Sequence, residues 1–160
     1  MSLALLFPGQ GSEQPGVLDA LPKEPAVFAV LDESRAWLQQ HGLRPDIDDT
    51  DTLHDTSNAQ LVLLIAGVAC ARTLIDDYGA EPRFVAGHSV GAFASAVTAG
   101  VLTLTEALAA VRLRARLMKQ ACAQGDWGMA VITGLPTREA SQLVHSLGTD
   151  LWIANVNSAT

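Results

Sequence analysis

Short apolar runs alternate along the chain with longer segments in which apolar residues recur at helical spacing. The short runs predict buried strands, and the longer segments predict helices. In chain order the pattern predicts strands at 3–7, 83–86, 128–135 and 151–156, and helices at 26–40, 57–78, 92–99, 104–122 and 136–147. Thr103 or Thr105 is placed to cap the fourth helix. Strands and helices in alternation indicate an α/β fold with a parallel sheet.

The character of the sequence changes at the Gly-Asp-Trp-Gly segment 125–128. We therefore expect a core domain over residues 1–125 and a second subdomain over residues 126–160. A lone strand–helix–strand unit buries too little surface to be stable by itself. From this we expect the chain to be the N-terminal portion of a longer protein, in which the second subdomain has only begun.

Composition narrows the class of protein. Hydrophobic residues make up 49% of the chain and charged residues 17%, which predicts a packed globular protein. The net charge is -7 and no basic stripe is visible, so we expect no nucleic-acid partner. The most apolar stretch, 61–71, is too short to span a bilayer, and the N-terminus lacks the positive start of a signal peptide. We therefore expect no membrane association and a cytoplasmic location.

The two cysteines, Cys70 and Cys122, lie in predicted helices and outside any metal-binding pattern. We expect both to be reduced thiols in the core. We also expect no metal site and no permanently bound cofactor.

A serine stands in a glycine-rich turn, Gly87-x-Ser89-x-Gly91, directly after a predicted strand and before a predicted helix. This is the setting of a nucleophile elbow, a tight turn that exposes the serine Oγ at a strained apex. Glycines flank the serine because larger side chains would collide with the strand and the helix. The N–H of Val90, at the start of the helix, is placed to donate to an oxyanion. The alternative is an ordinary glycine-rich turn with a capping serine.

Arg114 points to the apolar side of its predicted helix, opposite Arg112, Arg116 and Lys119. Its helical neighbours are all apolar: Ala107, Ala110, Val111, Leu117, Met118 and Ala121. A guanidinium held there needs an anion, because an unpaired buried charge costs roughly 3–5 kcal/mol. The anion is either an internal carboxylate or the carboxylate of a substrate. Periodicity alone does not choose between them.

Three segments together resemble the malonyl-CoA:acyl carrier protein transacylase family. They are the loop 7–12 (Phe-Pro-Gly-Gln-Gly-Ser), the serine motif 87–91 (Gly-His-Ser-Val-Gly) and the segment 112–118 (Arg-Leu-Arg-Ala-Arg-Leu-Met). Two further segments, 55–60 and 154–158, resemble the family's glutamine segment and its asparagine-rich stretch. The resemblance therefore runs through the chain in order.

The resemblance implies an α/β-hydrolase-like core with an inserted ferredoxin-like subdomain. It implies that Ser89 attacks the thioester of malonyl-CoA, the substrate, while the backbone N–H groups of Gln10 and Val90 hold the oxyanion. Arg114 then binds the malonyl carboxylate. The acyl-serine passes malonyl to the phosphopantetheine-type thiol of an acyl carrier protein, so that one hard step is divided into two easier ones.

Gln60, His88 and Asn157 are further candidates for substrate binding. Gln60 is either a pocket residue or a polar position on the first turn of its helix. Asn157 either lines the site or belongs to a loop at a strand end. His88 is held beside the serine by the elbow, where we expect it to support the turn rather than abstract the proton.

The sequence departs from the family at two points. Val-Gly-Ala-Phe at 90–93 replaces the usual Leu-Gly-Glu-Tyr and is more similar to the epsilon subunit of malonate decarboxylase. We therefore place first a transfer of malonyl to a carrier that bears a dephospho-CoA-derived group, with other malonate decarboxylase subunits as partners. A transacylase of fatty-acid or polyketide synthesis comes second, and an inactive subunit that docks a carrier protein comes third.

The second departure concerns the general base, which in the family is a histidine well downstream of the serine. We assign that role to none of His41, His54, His88 and His145. We therefore expect these 160 residues to be weakly active or inactive unless the missing part is supplied.

Overall fold

The computed structural model describes residues 2–148 and 150–159. The chain divides into two units, Met1–Ala123 and Gln124–Thr160. The first unit contains strand β1 (Leu3–Phe7), helix α1 (Pro25–Gln40), a 3-10 turn (Thr52–His54), helix α2 (Thr56–Arg72), a π-helical turn (Thr73–Asp77), strand β2 (Pro82–Gly87), helix α3 (Gly91–Thr98) and helix α4 (Leu104–Ala121). The second unit contains helix α5 (Thr137–Ser146).

The two strands form a parallel sheet in which Phe7 lies opposite Gly87. Parallel pairing needs a long crossover, and α1 and α2 supply it. Because both strands run the same way, their carboxyl ends meet at one edge and the loops after them begin side by side. The predicted α/β class with a parallel sheet is confirmed. The α/β-hydrolase-like and ferredoxin-like assignments stay predictions.

Helix α2 forms the centre of the first unit and packs against α1, α3 and α4. Its side chains Leu61, Val62, Ile65 and Val68 are almost completely buried, and each stabilises the fold by about 1.5–3 kcal/mol. With the π-helical turn the segment covers Thr56–Asp77, long and apolar enough to cross a membrane by length and composition alone. The apolar segment is thus longer than the sequence pattern predicted. Its most apolar window is 56% buried inside the protein, as in the core helix of a packed domain.

Side chains close the first turns of the two helices that matter most for the site. Asp55 caps α2, where its Oδ1 accepts the N–H of Ser57 at 2.7 Å. Thr103, one of the two predicted candidates, caps α4, and the carboxylate of Glu106 accepts the N–H of Thr103 at 2.8 Å. This reciprocal capping box fixes where α4 begins and hence which residues share each of its faces.

The strands predicted at 128–135 and 151–156 are wrong, because the described residues from 124 to 148 and from 150 to 159 contain helix α5 and no strand. An extended apolar run becomes a strand only when another strand takes its backbone hydrogen bonds, and these two runs do not pair with each other. Helix α5 begins at Thr137, with Pro136 as its cap rather than its first residue.

Several residues expected in the core lie at the surface. Leu6 on β1 is 77% exposed and Phe84 on β2 is 65% exposed, because a sheet of two strands leaves side chains of a predicted buried strand uncovered. Cys70 and Cys122 are also exposed. The apolar patterns predicted the elements correctly here, but a pattern alone does not say how many neighbours cover them.

Candidate active site

Ser89 stands at the apex of the turn between β2 and α3. Its φ of 53° lies in the left-handed region, which residues with a side chain rarely adopt. Such strain persists only where the surrounding structure enforces it, and it is concentrated at functional sites. The side chain is exposed, as an elbow requires.

The two flanking glycines are required by the space around them. A Cβ at Gly87 would lie under 3.0 Å from the backbone of Gly91, and a Cβ at Gly91 would lie equally close to the carbonyl oxygen of Phe7. Backbone on both sides of the turn therefore excludes any side chain at either position. This favours the nucleophile elbow over an ordinary glycine-rich turn.

The loop after β1 lies directly against the elbow. The N–H of His88 donates to the carbonyl oxygen of Phe7 at 2.9 Å. The ring of His88 lies so close to Gly9 that a Cβ there would be 2.6 Å from Nδ1. His88 thus joins the two loops through both backbone and ring, which agrees with a supporting role in the turn.

The candidate oxyanion donors lie on these two loops, Gln10 after β1 and Val90 after Ser89. Within the described part of the chain, the N–H groups of Gln10 and Val90 donate to no backbone carbonyl. Val90 is buried and is the N-cap residue of α3. The position of both residues is therefore compatible with donation to an oxyanion formed at Ser89.

Arg114 reaches from α4 to the serine. Its Nη2 donates to Ser89 Oγ at 2.8 Å, and its Nη1 donates to Gln60 Oε1 at 2.6 Å. Among residues 2–148 and 150–159, no carboxylate lies within ion-pair distance of this guanidinium. Of the two alternatives, the internal salt bridge is therefore disfavoured, and in the described part of the chain the guanidinium donates to the neutral side chains of Gln60 and Ser89.

Gln60 is the buried anchor of this arrangement. Its side chain is 0% exposed, although it lies on the first turns of α2. Its Nε2 faces Gln10 Oε1 at 3.4 Å and Met118 Sδ at 3.5 Å, while its Oε1 receives Arg114. The amide therefore connects the loop after β1 with the arginine on α4.

An open groove of about 510 Å³ lies between α3 and α4, with Arg114 as its one charged lining residue among those described. Its apolar lining comprises Phe93, Ala110, Leu113, Leu117, Met118 and Ala121. Leu117 is 53% exposed and Met118 is 40% exposed, so this part of the predicted apolar stripe lines a groove rather than the core. The groove offers an apolar wall beside a cation.

Sequence reasoning missed an ion pair near the site. Lys119 Nζ lies 2.6 Å from Asp55 Oδ2, which joins the end of α4 to the start of α2. Burial raises the pKa of Asp55, but the hydrogen bonds from Lys119 and from the N–H of Ser57 outweigh it and hold the pKa below its usual value. The sequence predicted Lys119 on a solvated face, and no local signal could join residues so far apart in the chain.

The structure thus brings together Ser89, Arg114, Gln60 and Gln10. Asn157 belongs to the unit Gln124–Thr160 and is exposed, and its role in the site stays a prediction.

A serine on a strained strand-to-helix turn, followed at once by the N–H of Val90 at the helix start, is the arrangement of α/β proteins that use a serine nucleophile. The chain belongs to the acyl transferase domain family, which it matches over residues 4–158. It is 32% identical over 160 residues to the malonyl CoA-acyl carrier protein transacylase of Bacillus subtilis strain 168, an alignment that covers 97% of this chain and 50% of that protein.

Solved structures agree with this assignment. The acyl-carrier-protein S-malonyltransferase of Burkholderia pseudomallei 1710b is 38% identical with a TM-score of 0.81, over 91% of this chain and 48% of that chain. A malonyl-transacylase in complex with its type II PKS acyl-carrier protein is 31% identical with a TM-score of 0.77, over the same shares of the two chains. The predicted membership of the acyl transferase family is confirmed, whereas the similarity to the epsilon subunit of malonate decarboxylase stays a prediction. The chain spans about half the length of the curated relatives it matches.

Proposed function

We propose that the protein transfers malonyl from malonyl-CoA, through an ester on Ser89, to the thiol of an acyl carrier protein. The observation that carries this proposal is the contact between Arg114 and Ser89 at 2.8 Å, with no protein carboxylate on the guanidinium in the described part of the chain. A cation beside a nucleophile selects an acyl group that carries its own carboxylate.

The reaction has two displacements at one carbonyl carbon. Ser89 Oγ bonds to that carbon while its proton passes to a general base, and the N–H groups of Gln10 and Val90 stabilise the oxyanion. The C–S bond breaks and coenzyme A leaves as the thiol. The carrier thiol then attacks the ester, the C–Oγ bond breaks, and Ser89 regains a proton. Malonyl is thus moved without any change of oxidation state.

The relatives described above are named malonyl transacylases, which favours the transacylase over the malonate decarboxylase subunit as the particular reaction. The segment 90–93 still supports the decarboxylase alternative, in which the carrier bears a dephospho-CoA-derived group. Offering the malonyl-enzyme either type of carrier separates the two, because only the cognate carrier will discharge the ester quickly. A cytoplasmic location is part of the proposal and rests on the sequence pattern.

The test of the function is covalent labelling of the protein expressed from its complete gene. On incubation with malonyl-CoA, the intact mass should increase by one malonyl group, and Ser89→Ala should abolish the increase. A Ser89→Ala protein that still takes up the label would refute the nucleophile assignment. A wild-type protein that binds carrier but takes up no label would instead support the docking subunit.

A further inference from the structure

One guanidinium serves both the nucleophile and, in the proposed function, the substrate carboxylate. We propose that Arg114 acts as a latch on Ser89, which an acyl group bearing a carboxylate opens and a neutral acyl group does not. The inference rests on the proposed function but concerns a separate property, the reactivity of the serine before acylation.

The latch follows from the space around the serine hydroxyl. Arg114 Nη2 donates a hydrogen bond to Ser89 Oγ at 2.8 Å, which engages one lone pair of the oxygen and occupies the space on one side of it. A thioester carbon has to come within about 3–3.5 Å of the same oxygen, with a lone pair directed at it. The elbow fixes the backbone of Ser89 at its left-handed φ and presents Oγ at the apex of the turn, and the proposal assigns the movement to the arginine.

Gln60 provides the pivot for that movement. It is fully buried and holds Nη1 at 2.6 Å, so one nitrogen of the guanidinium stays fixed while the other exchanges partners. For this cation a carboxylate is a better acceptor than a hydroxyl, because both partners are then charged and arginine–carboxylate pairs are among the strongest hydrogen bonds in proteins. A malonyl carboxylate therefore replaces the bond to Ser89 with a stronger one.

A neutral acyl group has no such replacement to offer. It has to break the hydrogen bond between Arg114 Nη2 and Ser89 and leave that nitrogen without its acceptor, while Nη1 stays on Gln60. The latch thus opposes neutral acyl groups at the chemical step, in addition to the binding energy that they lack. Selectivity of this kind lowers kcat for the wrong substrate as well as kcat/KM.

The test uses phenylmethanesulfonyl fluoride, a neutral probe without a carboxylate. Ser89 Oγ bonds to its sulfur, fluoride leaves, and the hydroxyl proton passes to the buffer. Intact mass spectrometry gives the labelling rate of the protein expressed from its complete gene. Arg114→Ala should be labelled at least about tenfold faster than wild type, the factor that loss of one hydrogen bond to a charged group gives. Arg116→Ala, which removes an exposed charge from the same helix, is the matched control and should keep the wild-type rate.

A second measurement on the wild-type protein keeps the test valid even if Arg114→Ala is damaged. Acetate, compared with chloride at equal ionic strength, supplies a carboxylate to the guanidinium and should accelerate labelling, and this acceleration should vanish in Arg114→Ala. Equal or slower labelling of a folded Arg114→Ala would overturn the latch, and so would labelling of the wild type that acetate leaves unchanged or slows. Since no coenzyme A ester is present, the result is independent of whether malonyl-CoA acylates Ser89.

Discussion

Gln60 is uncharged, and a negative charge at this position would directly neutralise the guanidinium of Arg114 that it contacts. Replacing it by glutamate changes one side-chain atom, a nitrogen to an oxygen, in a fully buried position. The new carboxylate would lie where Oε1 now receives Arg114 at 2.6 Å. Its second oxygen would face Gln10 Oε1 at 3.4 Å, acceptor against acceptor, where an amide N–H now points. The charge of the guanidinium would then be neutralised inside the protein.

The magnitude follows from the interaction that the substrate would lose. A hydrogen bond to a charged group contributes about 1.5–3 kcal/mol, and each 1.4 kcal/mol is a factor of ten. Gln60→Glu should therefore lower kcat/KM for malonyl-CoA by about 10- to 100-fold. The rate with acetyl-CoA should change much less, because no carboxylate has to be recognised. Gln60→Leu, which keeps the volume but neutralises nothing, is the matched control and should retain more malonyl transfer than Gln60→Glu.

The assay is transfer to a carrier protein from malonyl-CoA and acetyl-CoA in parallel, with thermal melting to confirm that each variant is folded. Two results would contradict the reasoning. One is malonyl transfer by Gln60→Glu within about threefold of the wild type, a difference smaller than one neutral hydrogen bond. The other is an equal loss with both substrates, which would mean damage to the site rather than loss of the cation.

Two further predictions concern the support of the site. Because the pKa of Asp55 is lowered in the folded protein, its pair with Lys119 stabilises the fold above pH 3.8, the usual carboxyl pKa, and this stabilisation is lost as the pH falls through the lower folded pKa. Asp55→Asn should therefore flatten the loss of thermal stability below about pH 4. An acid stability profile that the substitution leaves unchanged would count against the pair. Gly91→Ala should destabilise the fold by about 1–3 kcal/mol or more, because the new Cβ would collide with the carbonyl oxygen of Phe7. Gly128→Ala is the control and should leave the denaturation midpoint unchanged, since a Cβ there has no neighbour within 4 Å. Similar midpoints for the two variants would refute the packing argument.

Sequence reasoning succeeded where the determining interactions are local. The strand ends, the cap at Thr103 and the glycines of the elbow all follow from backbone geometry within a few residues. Sequence reasoning failed where the interacting residue lies far away in the chain, or where an element needs several neighbouring elements to form. The run predicted as a strand at 151–156 has no pairing strand among residues 2–148 and 150–159, and the pairing of Lys119 with Asp55 joins two helices that no local pattern relates.

Arg114 illustrates the boundary between these cases. Helical periodicity predicted correctly that it points away from the other basic residues of α4 and needs a partner. Periodicity did not reveal that the partners are Gln60 and Ser89, since these lie on different elements that meet only in the folded chain. The proposed substrate carboxylate comes from the family resemblance, whereas the structure shows the neutral anchor, Gln60, that holds the guanidinium.

The parallel sheet matters more for the site than for the core. Leu6 and Phe84 are largely exposed, so one face of the sheet contributes little buried surface within this chain, whereas Phe7 on the other face joins the core. Their carboxyl ends, in contrast, lie in register at Phe7 and Gly87, and the hydrogen bond from His88 to Phe7 fixes the two following loops against each other. The two backbone segments that carry the proposed oxyanion donors, Gln10 and Val90, are thereby aligned by strand pairing itself, before any side chain contributes.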